Sequence, residues 1–125
     1  MKINELFESA LKASCDYEPV LSNAADIMTY MASFADDIDE ERVEEYFRDC
    51  KAVLKLVPIS SLKAGPAFAN AINPKKQKRY LKMDPKTIPP IIVENGIVID
   101  GNHRLRTASA LGLKEIWAYV VEPIQ

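Results

Sequence analysis

The residue types most suited to chemistry are concentrated in one run, Asp-Gly-Asn-His-Arg, at residues 100–104. The run holds the only histidine of the chain, and a further arginine, Arg106, follows closely. Apolar and small residues then recur at near-helical spacing, which predicts that a helix begins at this run. The free amide groups and the dipole of a helix N-terminus both attract anions. The run therefore predicts a site for an anion of the phosphate type.

Two interpretations of this turn stay open. In the first, the turn is structural: Asp100 or Asn102 caps the helix, and the basic side chains reach acidic neighbours elsewhere. In the second, a bound anion offsets the positive charge. Basic residues in the first turn of a helix oppose its dipole, and His103, Arg104 and Arg106 all lie there. This conflict favours a bound phosphate.

The segments around the run predict a strand, a tight turn, a helix and a second strand. Residues 91–93 and 97–99 are aliphatic, and the turn between them contains Asn-Gly, which is typical of a β-hairpin. The helix after the run is expected to end near Gly112, a favoured C-cap residue. A further apolar run at 116–121 predicts a strand that returns to the same sheet. In this order of strand, turn, helix and strand, the N-terminus of the helix points to the space above the end of the preceding strand.

Together, these segments resemble the nucleotide-binding core of the ParB/sulfiredoxin superfamily. The resemblance covers about residues 51–122 and includes the hairpin, a Gly-x-His-Arg turn and a helix containing Ala, Leu and Gly. Upstream, the segment 54–62 and the pair Asn73-Pro74 also resemble that domain. The resemblance implies an α/β (α+β) fold, a small mixed sheet with helices of ParB/sulfiredoxin-like type, preceded by a helical N-terminal segment.

The resemblance also implies roles for the residues of the turn. Members of the superfamily hold a phosphate here, so Gly101, Asn102, His103 and Arg104 are expected to contact a nucleotide, with Arg104 as the main charge partner. Asp100 and His103 are the candidates for a catalytic role, as a base or metal ligand and as a proton donor or phosphate ligand. The implied cofactor is Mg2+ together with a nucleotide such as ATP or CTP.

Two departures from the family pattern limit the expected activities. Sulfiredoxin-like members have a cysteine at the position of Asn102, so reduction of sulfinic acids is not expected. Many ParB and kinase relatives place a catalytic glutamate in or near the turn, whereas Asn102 is neutral and cannot act as a general base. Nucleotide binding is the firmer expectation, while activity as an NTPase or phosphotransferase stays open.

Residues 1–50 are predicted to form a helical extension that packs on a core of residues 51–125. Apolar residues recur there at i, i+3 and i+4 spacing, which is typical of amphipathic helices. The predicted elements are helices over 3–11, from Ser22 or Asn23, and from Asp39, then a strand at 52–56 and a loop at 63–66. Tyr30 and Phe34 belong to the apolar face of the second helix. Pro19 is expected to break the chain between the first two helices.

Two charged segments could be solvated helix faces or interaction surfaces. A basic stretch contains Lys75, Lys76, Lys78 and Arg79, and an acidic cluster lies within residues 36–45. The alternative for the basic stretch is contact with a nucleotide or with nucleic-acid phosphates, as in a DNA-binding protein or a ParB-like nuclease. The alternative for the acidic cluster is docking of a protein partner, in a non-enzymatic role.

Composition excludes several other classes of protein. The chain has 125 residues, of which 48% are hydrophobic, and a net charge of −2, as expected for one globular domain. No apolar run approaches the roughly eighteen residues of a membrane span, and no signal-peptide pattern begins the chain. A cytoplasmic protein without membrane contact is therefore expected. Cys15 and Cys50 have no cysteine or histidine neighbours in sequence, so neither a metal site nor a disulfide is predicted.

The end of the sequence bears on the type of ParB relative. Partition proteins of the ParB type continue into a helix-turn-helix, and no such segment follows the core before Gln125. The resemblance is therefore to the core alone, and a small accessory factor of a phage or mobile element is the expected setting.

Overall fold

The computed structural model of the chain describes residues 17–34, 38–65 and 88–124. Its elements are strand β1 (Val20–Leu21), helices α1 (Ala24–Ala32) and α2 (Glu40–Tyr46), strand β2 (Cys50–Pro58), a 3-10 helix (Ile59–Ser61), strands β3 (Lys63–Ala64), β4 (Ile91–Glu94) and β5 (Ile97–Asp100), helix α3 (Asn102–Ala110) and strand β6 (Glu115–Pro123). The described strands form one sheet in the order β1-β2-β6-β4-β5-β3. Pairs β3–β5 and β4–β6 are parallel, and the other pairs are antiparallel. The predicted α/β fold with a small mixed sheet is confirmed.

Strands β4 and β5 form the predicted hairpin. Asn95 and Gly96 in its turn have φ angles of 52° and 78°, and two positive φ angles are what a type I′ hairpin turn requires. Ile92 pairs with Asp100 across the hairpin. The residue before β4, Pro90, and the residue after β5, Gly101, therefore lie at the same end of the hairpin.

Helix α3 and strand β6 are also confirmed. Gly112 takes φ 76° just after the helix, as expected of a glycine that ends a helix in the left-handed conformation. The chain then returns as β6, which pairs with β2 from Glu115 to Pro123 and with β4 on its other side. Strand β6 therefore joins the two halves of the sheet.

The N-terminal described region contains two predicted helices and one strand that the sequence does not predict. The side chain of Asn23 accepts a hydrogen bond from the Asp26 amide at 2.9 Å, and Asp39 caps α2 in the same way. Before α1, Val20 and Leu21 pair with β2 as strand β1. The predicted helix over 3–11 lies outside the described residues.

Hydrophobic clusters cover both faces of the sheet. On one face, α1 and α2 pack against the strands; this cluster includes Ile27, Met31, Val43, Phe47, Ile92, Ile99 and Tyr119. On the other face, α3 packs on a cluster that includes Ile91, Val93, Val98, Ala108, Ile116 and Ala118. Neighbouring residues of β4 and β5 alternate between the two clusters, because side chains of a strand alternate between its faces. The described part of residues 17–50 shares a core with the sheet, while the predicted domain boundary stays a prediction.

The predicted loop at 63–66 is wrong for its first two residues. Lys63 and Ala64 form β3, which runs parallel to β5, and the Lys63 amide donates to the Gly96 carbonyl at 2.9 Å. The adjacent Gly65 permits this close approach, since a Cβ there would lie 2.5 Å from Cγ2 of Ile97. Residues 63–64 form a strand because they pair with β5, which is distant in sequence, and a local sequence pattern does not predict such pairing.

No helix in the described part of the chain is long and apolar enough to cross a membrane.

Candidate functional site

Gly101 alone connects β5 to α3. Its backbone has φ 105° and ψ 25°, a left-handed conformation that glycine adopts far more readily than other residues. A Cβ at this position would lie 2.5 Å from Cγ2 of Ile91 and 3.1 Å from Nη2 of Arg104. Both the backbone angles and the crowding therefore require glycine at the turn.

The start of α3 presents backbone amides. Gly101 holds the N-cap position in place of Asp100 or Asn102, and no side chain among the described residues caps the helix. The Leu105 amide donates to the Gly101 carbonyl at 2.9 Å, which is the first hydrogen bond of the helix. The amides before Leu105 therefore have no acceptor within the helix. Amides in this position, together with the helix dipole, favour an anion.

Arg104 is turned into the protein, with 2% of its surface exposed. Its Nη1 donates to the Pro90 carbonyl at 2.8 Å, and its Nη2 donates to Oδ2 of Asp100 at 3.1 Å. The centre of the guanidinium lies 4.7 Å from the centroid of the Phe34 ring, within the range of a cation–π interaction. Asp100 thus neutralises Arg104 internally, and the predicted contact of Arg104 with a phosphate stays a prediction.

Tyr30 of α1 reaches the same carbonyl. Its hydroxyl donates a hydrogen bond to the Pro90 carbonyl, which also accepts from Arg104. The Tyr30 ring packs edge-to-face on Phe34 and Tyr119, with centroid distances of 5.2 and 4.8 Å. Burial raises the pKa of Tyr30 well above its ordinary value, and the positive charge of Arg104 offsets part of this rise.

The raised pKa of Tyr30 predicts a loss of stability in alkali. In the unfolded chain Tyr30 ionises near pH 10, about the ordinary value, whereas in the folded protein it keeps its proton. The contribution of Tyr30 to the free energy of unfolding is therefore complete below the pKa that Tyr30 has in the unfolded chain, and it is lost as the pH rises through and beyond that value. We expect the free energy of unfolding, measured with urea from about pH 8 to about pH 11, to fall more steeply for the wild type than for Tyr30→Phe. Equal slopes would show that Tyr30 ionises as easily in the folded protein as in the unfolded chain.

Asn102 ties the turn to the end of β3. Its Nδ2 donates to the Gly65 carbonyl at 3.0 Å. Its Oδ1 is buried and accepts no hydrogen bond from the described residues. A buried acceptor without a donor costs about 1–3 kcal/mol, so a ligand that donates a hydrogen bond here would remove that cost.

The remaining predicted site residues have different surroundings. His103 is half-buried in the first turn of α3, and its carbonyl accepts a hydrogen bond from the Thr107 hydroxyl at 2.9 Å. Arg106 is exposed. The Asp100 side chain is 15% exposed and faces the Arg104 guanidinium. In the described ranges, no group of three or more His, Cys, Asp or Glu residues could hold a metal ion.

The predicted charged surfaces are only partly described. Lys75, Lys76, Lys78 and Arg79 lie outside the described residues, so their contact with phosphates or nucleic acid stays a prediction. In the acidic cluster, the glutamates of α2 are exposed, and docking of a protein partner there also stays a prediction.

Sequence reasoning missed the contribution that α1 and the residues just after it make to the turn. The sequence assigns Tyr30 and Phe34 to an apolar helix face and gives no sign that they contact Arg104. One local signal exists for the partner of Arg104, because Asp100 precedes it by four residues, the spacing of ion pairs on a helix. Because α3 begins after Asp100, this spacing by itself does not predict the pair.

Comparison with known proteins gives a partial structural similarity. No family model matches the sequence, and no curated protein matches it. Among solved structures, the chain is similar to the C-terminally truncated chromosome-partitioning protein ParB from Caulobacter crescentus, in a complex with CTP-gamma-S. The TM-score is 0.44 with 20% sequence identity, and the match covers 54% of this chain and 43% of the ParB chain. The structural similarity is to part of ParB, and the resemblance to sulfiredoxin stays a prediction.

Proposed function

We propose that the chain binds the phosphate groups of a nucleotide at the start of α3. The observation that carries the proposal is the buried Oδ1 of Asn102, which lacks a donor among the described residues, in the first turn of a helix without a side-chain cap. The backbone amides supply donors for phosphate oxygens. The Asn102 oxygen supplies an acceptor for a hydroxyl or an amine of the same ligand. A nucleotide carries both kinds of group.

The electrostatics around the turn favour binding of a nucleotide phosphate. Arg104 and Asp100 form a buried pair with no net charge, so the anion is attracted by the helix dipole and the backbone amides, and the His103 ring is a further hydrogen-bond donor in the first turn. Within this proposal, Asp100 positions Arg104 and does not transfer protons. Mg2+ would accompany the nucleotide mainly through phosphate oxygens and water, since it needs only one or two carboxylates from the protein. The proposal concerns binding and includes no reaction.

Calorimetric titration with ATP, CTP, GTP and ADP, each with and without Mg2+, tests the proposal. We expect binding by the wild type that weakens about threefold to tenfold in Asn102→Ala, which removes an acceptor for a neutral donor. The loss in His103→Ala should be about tenfold or more, since a hydrogen bond to a charged group contributes about 1.5–3 kcal/mol. Arg106→Ala is the matched control: Arg106 lies exposed on the same helix, and its loss should leave the affinity nearly unchanged.

Competition identifies the group that is bound. Inorganic pyrophosphate should displace the nucleotide if the turn holds phosphates, whereas a free nucleoside should not. No binding of any nucleotide would overturn the proposal. Binding that both turn variants retain at full strength would move the site away from α3.

A further inference from the structure

Helix α1 and the turn share one hydrogen-bond acceptor, although they are distant in sequence. The Pro90 carbonyl accepts from the Tyr30 hydroxyl, which is 60 positions away, and from Nη1 of Arg104. A carbonyl oxygen has two lone pairs, so these two donors use its full capacity. Pro90 lies at the end of the hairpin where Gly101 also lies. The position of this carbonyl is thus set by α1 and by the turn together.

The guanidinium of Arg104 is held from several directions. Asp100 and the Pro90 carbonyl accept its hydrogen bonds, and the Phe34 ring lies against its face. A buried cation requires such partners, because desolvation without them is costly. Two of these restraints come from the same N-terminal region: the Tyr30 hydroxyl, on α1, shares the carbonyl, and the Phe34 ring lies two residues after α1 ends.

The Arg104 guanidinium lies directly beside the backbone of Gly101, the residue that sets the direction of the amides at the start of α3. Its Nη2 would be 3.1 Å from a Cβ on Gly101, and Asp100 and Arg104 lie on either side of residues 101–103, which form the turn and begin the helix. A shift of the guanidinium therefore moves Asp100 or crowds Gly101. Either change alters the direction of the amides at the start of α3.

From these contacts we infer that Tyr30 and Phe34 are positioning residues for the turn: they fix Arg104 through the Pro90 carbonyl and the ring face, and so set the affinity of the α3 start for phosphate. The inference rests on the proposed function for its ligand. The coupling between α1 and the guanidinium can be measured without a ligand.

Two conservative variants separate the hydroxyl from the ring. Tyr30→Phe removes only the donor to the Pro90 carbonyl, and Phe34→Leu removes the ring face but keeps an apolar side chain. Val43→Ala is the control: Val43 is buried on α2 in the same core cluster, so its truncation destabilises the core without removing a donor or a ring from the turn. All variants are compared as full chains at a temperature where each is folded.

Two readouts are used, and a purely structural role would move neither. The first is the dissociation constant of ATP and of CTP with Mg2+, which we expect to rise about threefold to tenfold in Tyr30→Phe, the range of one neutral hydrogen bond. The second is the hydrogen-exchange rate of the Arg104 side-chain Nε–H, measured by NMR without nucleotide, which we expect to rise several-fold in both Tyr30→Phe and Phe34→Leu. Val43→Ala should change neither quantity.

The outcomes separate this inference from the proposed function. Faster Arg104 exchange in both Tyr30→Phe and Phe34→Leu, in a protein whose wild type binds no nucleotide, would support the positioning of Arg104 and reject the proposed ligand. Nucleotide binding by the wild type, with unchanged affinity and unchanged Arg104 exchange in both Tyr30→Phe and Phe34→Leu, would overturn the inference and keep the proposed function. Equal effects of Val43→Ala and Tyr30→Phe would also overturn it, because general loosening of the core would then explain both.

Discussion

Gly101→Ala is expected to destabilise the protein by about 2–5 kcal/mol. A left-handed conformation costs a residue with a side chain about 1–2 kcal/mol, and added volume in a packed site costs about 1–3 kcal/mol. The crowding is specific, since the new methyl group would lie 2.5 Å from Cγ2 of Ile91 and 2.9 Å from its Cβ. Ile91 is fully buried, so it cannot move aside easily. Denaturant unfolding of both proteins measures the difference in free energy.

Gly112→Ala is the matched control for this prediction. Gly112 also has a positive φ, 76°, but a Cβ there would meet no atom within 4 Å. Only the cost of the left-handed backbone conformation applies, so the free energy of unfolding should fall by about 1–2 kcal/mol. If the two variants lose the same free energy of unfolding, the crowding at Gly101 has no energetic effect. The difference between them isolates the contact with Ile91 from the cost of the backbone conformation.

Arg104→Met is expected to destabilise the protein by about 3 kcal/mol or more. Removing one partner of a buried ion pair leaves the other charge without compensation, which costs about 3–5 kcal/mol. The Asp100 side chain is 15% exposed, so water recovers part of this loss, and the lower end of the range is expected. The Pro90 carbonyl also loses a donor. Urea unfolding at neutral pH is the measurement.

Three further variants make this prediction specific. Arg106→Met changes an exposed arginine of the same helix and should alter stability by no more than about 0.5 kcal/mol. Arg104→Lys keeps the charge but loses the planar fork that serves two acceptors, so its loss should be intermediate. Adding Asp100→Asn to Arg104→Met should restore part of the stability, because the uncompensated charge is removed. A double variant that is less stable than Arg104→Met would contradict the buried-pair account.

The parts of the fold that the sequence predicts are those that local interactions determine. The hairpin follows from two aliphatic runs and an Asn-Gly turn, and α1 and α2 follow from capping residues, Asn23 and Asp39, whose side chains bond within their own first turns. Strands β1 and β3 are missed because each is a two-residue strand stabilised only by a partner distant in sequence.

The same distinction applies to the candidate site. The turn itself is predicted, since Gly101 and the helical spacing after it are local features. The surroundings of Arg104 are not predicted: the sequence shows a cation at a helix start and suggests an external anion, whereas the fold provides Asp100 and the Phe34 ring. The unsatisfied oxygen of Asn102 is not predicted either, because the Asn102 side-chain amide is oriented by its hydrogen bond to Gly65, a residue distant in sequence that directly follows β3.

The place of β6 in the sheet has a consequence for folding during synthesis. Strand β6 joins β2 to β4, yet residues 115–123 are translated after every other described strand. Until they leave the ribosome, β1–β2 and β4–β5–β3 are two separate pieces with no strand pairing between them. Each piece meanwhile exposes the strand edge that β6 will occupy, and exposed edges invite pairing with other chains. Among the described strands, the one synthesised last is thus the one that joins the two pieces into a single sheet.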